Sequence, residues 1–132
     1  MEEIIGKTLR RGKETIGVDT IINENPEFIG IYFGAHWAPP CRLFTPALAD
    51  FHNKINGGSS DQKKIEIIFC SNDGNDAAFE RNYAEMPFDA IPYSDEQRIQ
   101  NLKQRFGING IPTLVVLDKR GETVSYEGRV DI

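Results

Sequence analysis

The chain has 132 residues, of which 39% are hydrophobic and 27% charged, and its formal net charge is −5. This length fits a single domain spanning residues 1–132. Basic residues form only small clusters, such as those at residues 10–11 and 63–64, and not the basic stripe that nucleic-acid binding normally needs. No apolar run approaches the roughly 18 residues of a membrane span. We therefore expect neither nucleic acid nor a membrane among its partners.

The two cysteines, Cys41 and Cys70, are too few for a disulfide scaffold. The acidic start of the chain lacks the apolar segment of a secretion signal. Both features indicate a reducing, intracellular compartment. The two histidines, His36 and His52, show no metal-ligand spacing with the cysteines, so we expect neither a metal ion nor another cofactor.

The first part of the chain predicts a hairpin, a helical turn and a buried strand. Glycines mark two turns between residues 8 and 20, where short alternating stretches favour a small N-terminal hairpin. Residues 18–22 are expected to add a helical turn, which Asn25 and Pro26 end. Residues 28–33 are nearly all apolar, which is typical of a strand buried on both faces.

An amphipathic helix is predicted from apolar residues at positions 41, 44, 48, 51 and 55, which are spaced by three and four. Pro39 and Pro40 suit its first turn, because N–H groups there have no partner within the helix. Pro46 removes one hydrogen bond from the helix interior and is expected to kink it. Residues 56–61 predict an exposed, flexible loop.

The next elements are a second buried strand at residues 65–70 and a short helix at residues 76–83. Ser94 and Gln97 form a capping box that predicts the start of another helix. This pattern continues the alternation of strands and helices.

The last predicted helix ends at Gly107 and leads to a hairpin. Its buried stripe comprises Ile99, Leu102 and Phe106. Residues 113–117 form a third strand, which a turn connects to an antiparallel strand at residues 122–127. Two parallel strands followed by an antiparallel pair predict an α/β fold with a central mixed sheet flanked by helices.

Residues 36–42 read His-Trp-Ala-Pro-Pro-Cys-Arg, which places Ala38 and Cys41 three residues apart at the start of a helix. Two cysteines in these positions would form a redox site, in which the helix start stabilises the thiolate of the first. That thiolate attacks a substrate disulfide, and the second cysteine resolves the mixed disulfide. Ala38 has no sulfur and cannot make this attack. Cys41 begins the apolar stripe of the helix, so we expect it to be buried.

A second marker is Gly-Ile-Pro-Thr at residues 110–113, just before the third strand. Together with the motif, Pro112 favours a cis bond after Ile111, whereas an ordinary trans proline at a strand start is the alternative. A cis turn beside the motif would offer the backbone of Ile111 to an extended peptide.

The motif resembles the Trp-Cys-Pro-Pro-Cys-Arg-x-Phe-Thr-Pro signature of the tryparedoxin and nucleoredoxin group of thioredoxin-like proteins. The matching residues are Trp37, Pro39, Pro40, Cys41, Arg42, Phe44, Thr45 and Pro46. Glu-Met-Pro-Phe at residues 85–88 and the segment 107–113 are also similar to that group. The resemblance implies a thioredoxin fold and a protein-disulfide reductase of the cytoplasm or nucleus.

The resemblance also implies roles for individual residues. Cys41 matches the resolving cysteine, and Ala38 stands in the position of the nucleophile. The residues that would frame a bound substrate are Trp37, Pro39, Pro40, Ile111 and Pro112. The implied partners are disulfide-containing client proteins or peroxidases, with a dithiol or a reductase as electron donor. We expect a monomer or a weak dimer.

Three features depart from ordinary thioredoxins or from the family pattern. Ala38 puts catalysis by this chain in doubt, and Tyr32 stands where ordinary thioredoxins carry a buried acid. The sequence ends at Ile132, where family members usually continue into a final helix. Without that helix, part of one sheet face would be open and would favour association.

Several interpretations stay open at this stage. The chain is either the inactivated form of a disulfide reductase or a non-catalytic module that holds clients between Trp37 and Pro112. A third, weaker hypothesis is single-thiol chemistry at Cys41. His36 is either a cation beside position 38 or an exposed loop residue. We interpret Cys70 as a buried thiol rather than a partner for Cys41.

Overall fold

The computed structural model describes residues 2–56 and 64–125. In chain order its elements are α1 (Glu2–Ile5), β1 (Thr8–Arg11), β2 (Glu14–Gly17), α2 (Val18–Glu24), β3 (Phe28–Gly34), α3 (Pro39–Asn56), β4 (Ile65–Ser71), α4 (Asp76–Tyr83), β5 (Asp89–Ala90), α5 (Glu96–Arg105), β6 (Thr113–Leu117) and β7 (Thr123–Ser125). The strands form one mixed sheet in the order β2-β1-β5-β4-β3-β6-β7. The predicted α/β class with helices around a mixed sheet is confirmed.

The centre of the sheet is a parallel pair, β3 and β4, in which Phe28 faces Ile65 and Gly34 faces Ser71. Every residue of β4 is buried. Successive side chains of a strand point to opposite faces, so Phe69 joins one apolar cluster and Cys70 the other. The predicted doubly buried strands are therefore confirmed.

Helices cover both faces of the sheet. On one face, α3 and α4 pack Leu48, Phe79 and Tyr83 against Tyr32 and Phe69. On the other face, α1, α2 and α5 supply the residues Ile5, Val18, Ile21, Ile99 and Leu102, with Phe106 just after α5. The predicted stripe of the last helix is confirmed, and Gly107 follows it with φ +60°, a left-handed conformation that favours glycine.

The N-terminal hairpin is confirmed, since β1 pairs antiparallel with β2. It joins the main sheet because β1 also pairs with β5. The helical turn before Asn25 is confirmed as α2, and Asn25 caps it with φ 52°. Neither α1 nor β5 was predicted, because elements of four and two residues show no periodicity.

Two sequence predictions about the helices were wrong. The capping residue of α5 is Asp95, whose carboxylate accepts a hydrogen bond from the Arg98 N–H at 3.1 Å, instead of Ser94 with Gln97. The helix begins one residue later than the capping box required. Ile55 was placed in the buried stripe of α3 but is 39% exposed. The side chain of Asn56 binds the backbone of Ile65 there, so the helix ends where β4 begins and beyond the apolar core.

The predicted terminal hairpin is confirmed as far as Ser125, because β6 and β7 pair antiparallel. The predictions for residues 57–61, for 126–127 and for the final helix lie outside the described residues. Among the helices that the structure describes, none is long and apolar enough to cross a membrane. Within residues 2–56 and 64–125, no group of three His, Cys, Asp or Glu side chains could hold a metal ion.

Candidate functional site

Position 38 lies at the N-terminal end of α3, where the helix dipole favours negative charge. The carbonyl oxygen of Ala38 accepts hydrogen bonds from the N–H groups of Cys41 at 2.9 Å and Arg42 at 3.2 Å. Pro39 and Pro40 fill the first helical positions and have no N–H. The first backbone donor of α3 is therefore that of Cys41, and it points at residue 38.

Cys41 is 2% exposed, which confirms the prediction that it is buried. It lies beside Tyr32, whose hydroxyl is 2.6 Å from Thr45 Oγ1. Burial, with the nearby Cys41 as a smaller cause, raises the pKa of Tyr32 well above its usual value. The position of the buried acid of ordinary thioredoxins thus holds a neutral hydroxyl. The burial of Cys41 disfavours single-thiol chemistry in the folded state.

Five of the seven predicted site residues line one groove of about 540 Å³, which we call the motif groove. Its lining residues are Trp37, Ala38, Pro39, Pro40, Asn72, Lys103, Ile108, Asn109, Gly110 and Ile111. The Ile111–Pro112 bond is cis, as the sequence predicted, and Pro112 is buried next to Ile111, which lines the groove. Residues from three distant parts of the chain therefore meet around position 38.

Trp37 forms an exposed wall of this groove, with 60% of its surface accessible. Its indole N–H donates to the backbone oxygen of Asn72 at 3.0 Å. The N–H of Asn72 in turn donates to the oxygen of Gly34 at 2.8 Å. These bonds tie the indole to the carboxyl ends of both central strands, so the wall is fixed although it is exposed.

Asp73, which no sequence motif marks, holds the loop before the motif in place. Its buried carboxylate accepts hydrogen bonds from the His36 backbone N–H at 2.9 Å, from Ser71 Oγ at 2.7 Å and from Asn82 Nδ2 at 3.3 Å. The imidazole of His36 is exposed. A polar residue just after a buried parallel strand was the available signal, since such strand ends meet at one edge of a sheet.

Cys70 does not belong to the site. It packs with Phe33 and Phe106 on the face of the sheet opposite to Tyr32, which contacts Cys41. Both thiols are free. Burial raises the pKa of Cys70 to about 12. The interpretation of Cys70 as a buried thiol is confirmed.

His52 is half-buried rather than a plain surface residue, because its ring packs edge-on against Phe88 at 5.3 Å. This contact lies on α3, behind the motif. It attaches the helix to the segment that leads into β5.

Known proteins resemble this chain in both sequence and structure. A thioredoxin-like family model matches residues 25–123. Nucleoredoxin from Bos taurus is 40% identical over 131 residues, which cover 99% of this chain and 29% of that protein. A probable nucleoredoxin 3 from Oryza sativa is 40% identical over 114 residues, covering 86% of this chain and 24% of that protein.

Among solved structures, native tryparedoxin I from Crithidia fasciculata superimposes with a TM-score of 0.84 at 32% identity. The match covers 95% of this chain and 83% of that one. A cysteine-to-alanine mutant of tryparedoxin I gives the same values.

The chain belongs to the thioredoxin-like family and has the thioredoxin fold. Within that family it falls in the tryparedoxin and nucleoredoxin group, as the sequence predicted. The chain spans less than a third of the length of the nucleoredoxins that it matches, for which the share is 29% in Bos taurus.

Proposed function

We propose that this chain carries the site of a protein-disulfide reductase whose nucleophile position is filled by Ala38. The observation that carries the proposal is the motif groove. Trp37, the start of α3 and the cis Ile111–Pro112 turn surround position 38, which is where a client disulfide would have to react. Cys41 stands three residues further on and takes the role of the resolving cysteine.

A cysteine at position 38 would complete the reaction. The dipole at the start of α3 would stabilise its thiolate, which attacks one sulfur of the client disulfide. A bond forms between position 38 and the client, the client's own disulfide breaks, and the leaving thiolate takes up a proton. Cys41 then loses its proton and attacks the sulfur at position 38, which closes an internal disulfide and releases the second client thiol.

This exchange moves two electrons and two protons to the client, and a dithiol donor returns the domain to its reduced form. The step needs only sulfur atoms and no bound cofactor. The burial of Cys41 restricts its attack to the neighbouring sulfur at position 38. With alanine there, the first bond cannot form, so the chain as it stands is expected to be inactive.

The second candidate is a binding module without turnover, and Ala38 itself favours it. The groove lined by Trp37, Pro39, Pro40 and Ile111, next to Pro112, is present with alanine at position 38, so a client segment could still be held there. The codon at position 38 of the gene separates the two candidates: cysteine supports an inactivated reductase, and alanine supports a natural binding module.

The proposal extends to cellular context. Two free thiols and no disulfide in the described residues fit a reducing compartment, and we infer the cytoplasm or nucleus. The partners are disulfide-bearing clients or peroxidases together with a dithiol or reductase donor. Residues 1–132 act as one domain, either as a monomer or as a weak dimer.

A trapping experiment tests the proposal. The double variant Ala38→Cys with Cys41→Ser can attack a disulfide but cannot resolve it, so intact mass should show a covalent adduct with a disulfide client. The matched control is Ala38→Ser with Cys41→Ser, which leaves Cys70 as its only thiol. The proposal is wrong if the first variant forms no adduct, or if the control forms the same amount.

A further inference from the structure

The motif groove carries a single charged side chain, Lys103, among its ten described lining residues. The other nine are apolar or neutral. The whole chain has a formal net charge of −5, so this positive spot lies on an acidic protein. The positive charge of the groove is therefore a local feature that does not follow from the overall composition.

Lys103 is held in place by the residue that also fixes Trp37. Its Nζ donates to the side-chain oxygen of Asn72, whose backbone oxygen binds the Trp37 indole. The Lys103 side chain is half-buried on α5. An ammonium group that is positioned and partly shielded from water interacts more strongly with a ligand charge than a freely moving surface lysine does.

The charge of Lys103 is not neutralised by an ion pair within residues 2–56 and 64–125, where its hydrogen-bond partner is the neutral amide of Asn72. Two acids, Asp73 and Glu96, line a separate cavity on its other side. The carboxylate of Asp73 is already engaged by His36, Ser71 and Asn82. Glu96 is exposed to water.

We propose that the motif groove selects clients in which an acidic residue stands beside the reacting cysteine. The carboxylate of that residue would bind the ammonium of Lys103. This proposal rests on the proposed function, and it names the substrate class of the same site. Lys103 and position 38 line one groove, so a peptide whose sulfur reaches position 38 passes within reach of the ammonium. A basic residue in the same place would meet a like charge.

The test uses three peptides with the same disulfide and a Glu, Gln or Lys next to the cysteine, reduced by the Ala38→Cys protein. We expect kcat/KM to fall in the order Glu, Gln, Lys, by about fivefold from Glu to Gln. The order should disappear in Lys103→Gln and persist in Lys103→Arg. Lys119→Gln, which removes an exposed lysine of the β6–β7 turn, is the matched control and should keep it.

A binding measurement separates this proposal from the proposed function. Trp37 is the only tryptophan, so its fluorescence reports binding of peptides in which serine replaces both cysteines, to the chain with Ala38. Tighter binding of the Glu peptide without any turnover by Ala38→Cys would support carboxylate selection and contradict the reductase. Reduction of all three peptides at equal rates, with equal binding, would overturn carboxylate selection and leave the reductase standing.

Discussion

Two regions of the chain differ in whether their side chains find partners within the chain. The first, the Arg11 cluster, consists of Arg11 with the three carboxylates of Glu24, Glu66 and Asp89. The guanidinium binds Asp89 at 2.8 and 2.9 Å and Glu24 at 2.9 and 3.1 Å. Hydrogen bonds to Asp89 are the largest cause that raises the pKa of Arg11 far above its usual value. Every charge in this cluster is met by another residue of the chain.

The motif groove is the second region, and several of its side chains are exposed to solvent. Trp37 is largely exposed, and Pro39 and Pro40 are exposed beside it. Lys103 has a neutral partner within the described residues and no carboxylate. The contrast separates a cluster whose charged groups bind one another from a groove whose side chains remain exposed to solvent.

Arg11→Met should have the largest effect on stability of the variants considered. Without the guanidinium, the buried carboxylate of Asp89 loses the cation that binds it, so the free energy of unfolding should fall by about 2 to 4 kcal/mol. Urea unfolding followed by circular dichroism measures this. The control is Lys54→Met, which removes one partner of the exposed pair with Asp50 and should cost less than about 0.5 kcal/mol. Equal losses in both variants would show that the Arg11 cluster is no more structural than a surface pair.

Trp37→Phe should have the opposite effect, with little loss of stability and a large loss of client binding. The lost hydrogen bond leaves the oxygen of Asn72 accessible to water, so the stability loss should stay below about 1 kcal/mol. In the Ala38→Cys background, KM for a disulfide client should rise about tenfold, because the smaller phenyl ring covers less of the groove wall and is no longer fixed by the hydrogen bond to Asn72. A large loss of stability with an unchanged KM would make Trp37 a structural residue like Arg11.

The smallest expected change in stability concerns Glu80 on α4, which binds Arg10 of β1 at 2.7 Å. Hydrogen bonding to Arg10 holds the pKa of Glu80 below its usual value of 4.5. The folded-state pKa is lowered, so this stabilisation is present above about pH 4.5 and is lost as the pH falls through the folded-state value. Because the pair is partly exposed, it contributes less than about 0.5 kcal/mol. Glu80→Gln should flatten the acid limb of stability against pH, and an unchanged limb would contradict this.

Much of the architecture could be predicted because burial leaves a pattern in the sequence. The helix at residues 76–83 and the strand at residues 113–117 were predicted with the bounds that the structure shows. Long apolar runs and repeated spacings report directly which faces are buried. The two-residue strand β5 leaves no such pattern, since it exists only through its pairing with β1 and β4.

Part of the site was predictable because its residues stand in local sequence motifs. Trp37, Ala38 and Pro112 stand in local motifs, and the structure brings the first two into the groove that ends at Ile111. Asp73 and Lys103 stand in no motif, because only the order of the strands and the packing of α5 bring them to position 38. The wrong capping box at Ser94 has a simpler cause, as Asp95 fits the same role one residue later.

We propose that this site differs from that of a working disulfide reductase in one atom, the sulfur that is missing at position 38. Insulin reduction with dithiothreitol as donor tests it most directly, with the Ala38 chain, Ala38→Cys and the isosteric control Ala38→Ser measured side by side. We expect Ala38→Cys to exceed the other two by more than about 100-fold, since removing a nucleophile eliminates most of the catalysis. If Ala38→Cys folds with an unchanged circular dichroism spectrum and reduces no more insulin than Ala38→Ser, the claim is wrong.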